Sequence, residues 1–143
     1  RLVEKFIPQL IEKESIPELL WCIKQFADIP EKSLVQVLQF CLDRSDVIEK
    51  GQYTELLNTV LNASFSDVCM LPFLRNISFP HVLNLLEYLA DELESKDLDV
   101  DINHLLDWAN LLLDAHYQRY LLSGDPEVQE LLCRLRDVST QQV

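Results

Sequence analysis

Apolar residues recur along this chain at intervals of three and four, and no useful length alternates apolar with polar residues. That is the period of helices and not of strands. Leu2 to Lys13 carries Leu2, Val3, Phe6, Ile7, Leu10 and Ile11 at helical spacing, with Pro8 placed to kink or restart the helix. Ser15-Ile-Pro-Glu18 then reads as a capping box, with Pro17 in the first turn, where its missing N–H costs nothing. The helix it opens is expected to run to about Ala27 and to bury Leu19, Leu20, Ile23 and Phe26. Asp28-Ile-Pro-Glu31 repeats the signal and opens a helix to about Leu42. Two such helices in succession suggest an antiparallel pair, the unit from which α-solenoids are stacked.

Asp43 to Gly51 is polar and ends in glycine, which makes it the best boundary or long connection. Helices are then predicted over 52–62, 66–75 (limited by Pro72) and 78–94, the last with Ser78 as cap and Pro80 in its first turn. An acidic loop, Ser95 to Val100, precedes one long helix, Asp101 to Ser123. Gly124 supplies a left-handed exit residue. Asp125-Pro126-Glu127 caps a final helix to about Val138, and the polar end 139–143 is expected to fray. The chain is therefore predicted to be all-α, an irregular helical bundle or short α-solenoid of about seven to eight helices. Residues 1–50 would form N-terminal helical repeats, and 51–143 a C-terminal helical assembly domain packed on them as one continuous unit.

The segment 101–123 fixes this architecture. Ile102, Leu105, Leu106, Trp108, Ala109, Leu111, Leu112, Leu113, Ala115, Tyr117, Tyr120, Leu121 and Leu122 surround most of its circumference, so several other helices must cover it.

Composition narrows the function. At 143 residues, 48% hydrophobic and 25% charged, the chain is a single soluble-type domain with a real core. It has no apolar run long enough to cross a membrane. It begins at Arg1 with no signal pattern behind it, as expected of a piece of a longer protein. The net charge of −12 repels phosphate backbones, which argues against an autonomous nucleic-acid module. Glu87, Asp91, Glu92, Glu94, Asp97, Asp99, Asp101 and Asp107 share their stretch with one base, Lys96. The plainer reading of that run is a solvated helix end and loop, and the sharper one a docking surface for a basic partner. Cys22, Cys41, Cys69 and Cys133 are far apart amid apolar residues and read as packed, reduced thiols.

No catalytic pattern emerges. His81, His104 and His116 all fall in predicted helices, without an adjacent nucleophile or a metal-ligand spacing. His116 and Tyr120, four apart, share a face and read as structural. Two glycines cannot build a phosphate cradle. Asp97-x-Asp99-x-Asp101 lacks the glycine and terminal glutamate of a calcium loop. The expectation is no enzyme, no metal and no cofactor.

Phe73-Leu74-Arg75, Leu85-Leu86-Glu87-Tyr88-Leu89, Leu106-Asp107-Trp108, Leu112 to Leu122 and Asp125-Pro126-Glu127 together make residues 52–138 resemble a known domain. It is the C-terminal helical domain shared by WD-repeat propeller proteins of the small-subunit processome. Phe6-Ile7-Pro8 and Asp28 to Leu34 fit the same pattern, whereas the acidic insert 95–100 is longer and more charged than that family's linker. The resemblance implies a nuclear, nucleolar parent with an amino-terminal β-propeller. That parent would belong to the subcomplex supporting rRNA gene transcription and early pre-18S processing. The present chain would be its protein–protein scaffold, holding sister propeller-containing subunits through their own C-terminal helical domains. The anchors expected for such docking are Trp108, Leu112, Tyr117, Tyr120, Leu132 and Leu135, since large apolar side chains dominate such interfaces. Two other readings stay open. One is contact with pre-ribosomal RNA through Arg119, Arg134 and Arg136, should their helices lie side by side. The other is a generic helical adaptor in trafficking or ubiquitin ligation.

Overall fold

The computed structural model describes residues 2–26, 28–95 and 99–141, and every regular element among them is helical. Ala27, the expected end of the second helix, lies outside the described residues, as do Lys96 and Asp97 of the acidic stretch and Gln142 and Val143 of the tail. Nine helices are described: α1 Leu2–Glu12, α2 Ile16–Gln25, α3 Glu31–Asp43, α4 Lys50–Asn62, α5 Asp67–Leu74, α6 Phe79–Glu94, α7 Ile102–Ala115, α8 Tyr117–Leu122 and α9 Pro126–Gln141. The all-α expectation holds.

The helix ends show which local signals act. Pro8 stays inside α1 without ending it. The stop comes at Glu14, the described non-glycine residue with a left-handed backbone (φ 56°). The Ser15 N–H bonds the Leu10 carbonyl and the Glu14 N–H that of Ile11, the Schellman pairing that normally recruits glycine. The Glu14 carboxylate in turn accepts from Arg44 Nε at 2.7 Å. Gly124, by contrast, is not left-handed, which corrects the expected exit turn.

The first capping box is not made, because Ser15 gives no side-chain cap bond. At the second, Pro30 and not Asp28 occupies the cap position, and the Glu31 carboxylate accepts from the Ser66 N–H at 3.2 Å. Side-chain caps do form at Glu49, whose carboxylate takes the N–H groups of Gly51 and Gln52, and at Asp101, which takes that of Asn103. Glu49 thus draws Gly51 into the first turn of α4. Asp125 likewise accepts from the Glu127 N–H at 2.9 Å, at the start of α9.

The chain divides into two compact units, Arg1–Phe73 and Leu74–Val143. In the first, α2 and α3 each pack against both α1 and α4. They therefore occupy opposite corners of a four-helix cluster and are not the consecutive solenoid pair that the capping signals suggested. Because α4 completes this cluster, residues 50 and 51 fall inside the first unit and not at its edge. Its core includes Ile7, Leu19, Leu34, Leu38, Leu56, Leu57 and Leu61, all without exposed surface.

In the second unit α6 is central and packs against α7 and α9, with α8 following on α7. Val82, Leu85, Leu86 and Leu89 of α6 and Leu105, Trp108 and Leu112 of α7 are fully buried. Trp108 is the largest of these side chains. Trp108→Ala should cost about 3–5 kcal/mol of stability, the range for truncating a large core aromatic, read as a shift in urea midpoint. Loss of well under about 1 kcal/mol would mean the indole does not hold the second unit together.

Candidate interaction surface

The expected long helix 101–123 is broken at His116, whose backbone (φ −123°, ψ 26°) leaves the helical region. The break is buried, with only 5% of His116 exposed, so its backbone polar groups need partners. The Leu112 carbonyl accepts from the His116 N–H at 3.3 Å and from the Tyr120 hydroxyl at 3.3 Å. The His116 carbonyl accepts from the N–H groups of Arg119 and Tyr120. His116 Nε2 lies 3.0 Å from the Leu74 carbonyl, and since a carbonyl can only accept, Nε2 carries the proton. The Phe79 ring closes the cluster, 5.3 Å from Tyr120 and 6.2 Å from His116 between centroids. Burial pushes the Tyr120 hydroxyl well above the usual tyrosine range.

His116 and Tyr120 thus fix the inner side of α8, and its remaining apolar residues face outward. Tyr117 is 61%, Leu121 63% and Leu122 86% exposed. Tyr117 and Leu121, four apart, share one helix face.

This placement corrects most of the expected anchors. Trp108, Leu112, Tyr120 and Leu135 are buried, so in this structure they are core side chains and offer a partner nothing. Leu132 is half-buried and Tyr117 exposed. Leu121 and Leu122 were missed as surface candidates. The missing signal was the break itself, because an unbroken amphipathic reading puts both leucines on a covered rod. Among the described residues no group of three His, Cys, Asp or Glu side chains could hold a metal ion. No helix among them is long and apolar enough to cross a membrane.

The three arginines do not act alike. Arg134 forms a two-pronged pair with Glu94, Nε to Oε1 at 2.6 Å and Nη2 to Oε2 at 2.9 Å, and also bonds Asp91. This ties α9 to α6, so the charge expected for RNA is already engaged by two carboxylates. Arg136 lies 3.3 Å from the carboxylate of its neighbour Asp137. Arg119 is exposed, with its guanidinium carbon 5.8 Å from the centre of the Phe79 ring. Two carboxyls two residues apart on α6 are pushed in opposite directions. Hydrogen bonding from Arg134 holds Glu94 below its ordinary value. Burial, then the charges of Asp99 and Asp91, raises Glu92 against an opposing hydrogen bond from Tyr88.

The family model described as the nucleolar protein 11 C-terminal domain matches residues 1–141. Nucleolar protein 11-like from Danio rerio is 32% identical over 98 residues, which is 62% of this chain and 14% of the relative. Nucleolar protein 11 from Pongo abelii is 31% identical over 98 residues, covering 62% of this chain and 13% of its own length. The chain thus corresponds to about 14% of the length of these curated relatives.

The Glu92 and Glu94 shifts predict opposite pH behaviour. A carboxyl lowered in the fold, as Glu94 is, contributes stability above its unfolded value of about 4.5 and loses it as pH falls through the folded value. A raised carboxyl, as Glu92 is, penalises the fold at neutral pH and stops doing so on acidification. Arg134→Gln should therefore be less stable than the native chain at neutral pH, with the gap closing as pH drops below about 4.5. Glu92→Gln should be more stable at neutral pH, its advantage fading in acid. Urea titrations across that pH range check both signs, and a gap independent of pH for either variant would refute its assignment.

Proposed function

We propose, because this chain belongs to the nucleolar protein 11 C-terminal domain family, that it is a non-catalytic assembly module of a nucleolar ribosome-biogenesis factor. Its role is to support assembly of the small-subunit processome subcomplex that promotes rRNA transcription and pre-18S processing. The partners are other propeller-containing subunits, held through their C-terminal helical domains. One observation carries the mechanism, the outward trio Tyr117, Leu121 and Leu122 on α8. A rigid aromatic beside two leucines, fixed from behind by the buried Tyr120, suits an anchor that fills a partner's apolar pocket. Each such side chain contributes about 1.5–3 kcal/mol when fully removed from water, so the trio offsets part of the cost of association and the surrounding contacts must supply the rest. Contact with pre-ribosomal RNA is the weaker alternative, since Arg134 and Arg136 already face carboxylates.

Affinity purification of the tagged chain, with partners identified by mass spectrometry, tests this reading. Propeller-containing nucleolar subunits should co-purify. The triple variant Tyr117→Ser, Leu121→Ser, Leu122→Ser should keep the native melting curve and lose those partners at least about tenfold. Equal recovery with the triple variant, or recovery of coat or ubiquitin-ligase components instead, would refute it.

A further inference from the structure

A second feature of the same unit stands apart from the α8 face. Between α6 and α9 runs an open groove of about 580 Å³. Its floor carries Pro80 and Leu83 of α6 and Val128 and Leu131 of α9, with the polar Asn84 beside them on α6. Its rim is acidic, with Glu87 on one side and Asp125, Glu127 and Glu130 on the other, all exposed. Arg134 is the one cation among the described lining residues, and Glu94 and Asp91 hold its guanidinium. Four carboxylates therefore face the groove with no free cation from its own walls.

We propose that this groove docks a basic amphipathic helix of a partner protein. Three arguments select that occupant. First, the charge excludes the alternatives of the wrong sign. Nucleic acid is repelled, and so is a second copy of this chain, which carries a net charge of −12. Lysines and arginines flanking an apolar stripe match acidic rim and apolar floor together, whereas a bare polycation would leave the floor unused. Second, both walls are helices and offer no strand edge, which favours an occupant that satisfies its own backbone hydrogen bonds, as a helix does. Third, the lining residues of α6 span Pro80 to Glu87 at helical-face spacing and those of α9 span Glu127 to Arg134. That is two turns on each wall, about 10 Å at 1.5 Å per residue, matching two turns of a third helix with apolar residues at i and i+3 or i+4.

The inference is read from the groove alone and does not depend on which complex the chain joins. It is tested with a fluorescein-labelled synthetic helix of about 18 residues, leucines on one stripe and lysines on the other faces. The partner in the titration is the intact 143-residue chain. Saturable binding is expected, weakened by salt, with methyl NMR shifts concentrated at Leu83 and Leu131. Glu87→Lys with Glu130→Lys should weaken it at least about tenfold while leaving the circular-dichroism melt unchanged. The α8 triple-serine variant should bind the peptide normally, which separates this site from the face described above. A peptide of identical composition with the leucine stripe scrambled should bind poorly. Equal binding by the scrambled peptide, methyl shifts elsewhere, or indifference to the charge reversal would overturn the proposal. So would a self-associated chain dispersed by the same reversal.

Discussion

The second unit depends on how it satisfies the broken backbone at His116. A helix end buried without partners leaves carbonyls stripped of water, at a cost of about 1–3 kcal/mol each. Here the Leu112 carbonyl receives both the His116 N–H and the Tyr120 hydroxyl, using both of its lone pairs. The imidazole reaches the Leu74 carbonyl at the start of the same unit. The two residues that satisfy the break are also the ones that set the direction of α8. With Tyr120 turned inward against Phe79, Tyr117, Leu121 and Leu122 have nowhere to go but out. The exposed apolar face is thus a consequence of buried hydrogen bonding.

Charge supplies the second constraint. A chain with twice as many acids as bases, 24 against 12, repels itself, and α6 concentrates that repulsion at Asp91, Glu92 and Glu94. Arg134 relieves it by facing two of the three from α9. Exposed pairs of this kind add little stability by themselves, but a forked pair also fixes geometry. The buried Val128, Leu135 and Val138 set the inner face of α9, and the fork ties that helix to α6 beside the groove. At the other end of α9, the Gln129 amide donates to the carbonyls of Tyr120 and Ser123. The end of α8 and the start of α9 are thereby joined.

Much of the fold could be read from the sequence, because helical periodicity is a strong local signal. The helices at 52–62, 66–75 and 78–94 differ from the observed α4, α5 and α6 by one or two residues at the ends. What could not be read was non-local. The turn at His116 looks like helix in any local window, and the bond its imidazole makes to the Leu74 carbonyl, 42 residues away, is invisible there. Glu14 adopts a glycine-like backbone where no glycine marks it. Ser15 and Asp28 carried capping-box signals, yet the observed helix starts rest on Pro17 and Pro30. The candidate site suffered most. Burial of Trp108, Leu112, Tyr120 and Leu135 turned four of six expected anchors into core, because one sequence cannot say which faces of an all-round apolar helix its own neighbours claim. The domain resemblance fared better, since it rested on the order of motifs along the chain and not on their orientation.

The two proposed surfaces, of different chemistry on one helical unit, would divide the work of recognition between them. Apolar contact is non-directional and grows with area, so the α8 face can supply affinity but discriminates poorly between one apolar pocket and another. Carboxylates discriminate by sign: a basic segment is drawn in, and an acidic one leaves like charges opposed at several kcal/mol. On the proposed docking, selection against wrong partners falls to the groove rim, whose cost for the isolated chain is small because its acids stay in water. The Gln129 link ties the end of α8 to the start of α9, the two helices that carry the proposed face and one wall of the proposed groove. With recognition so divided, neither surface has to be large, which is compatible with a unit of 70 residues that must also keep its own core dry.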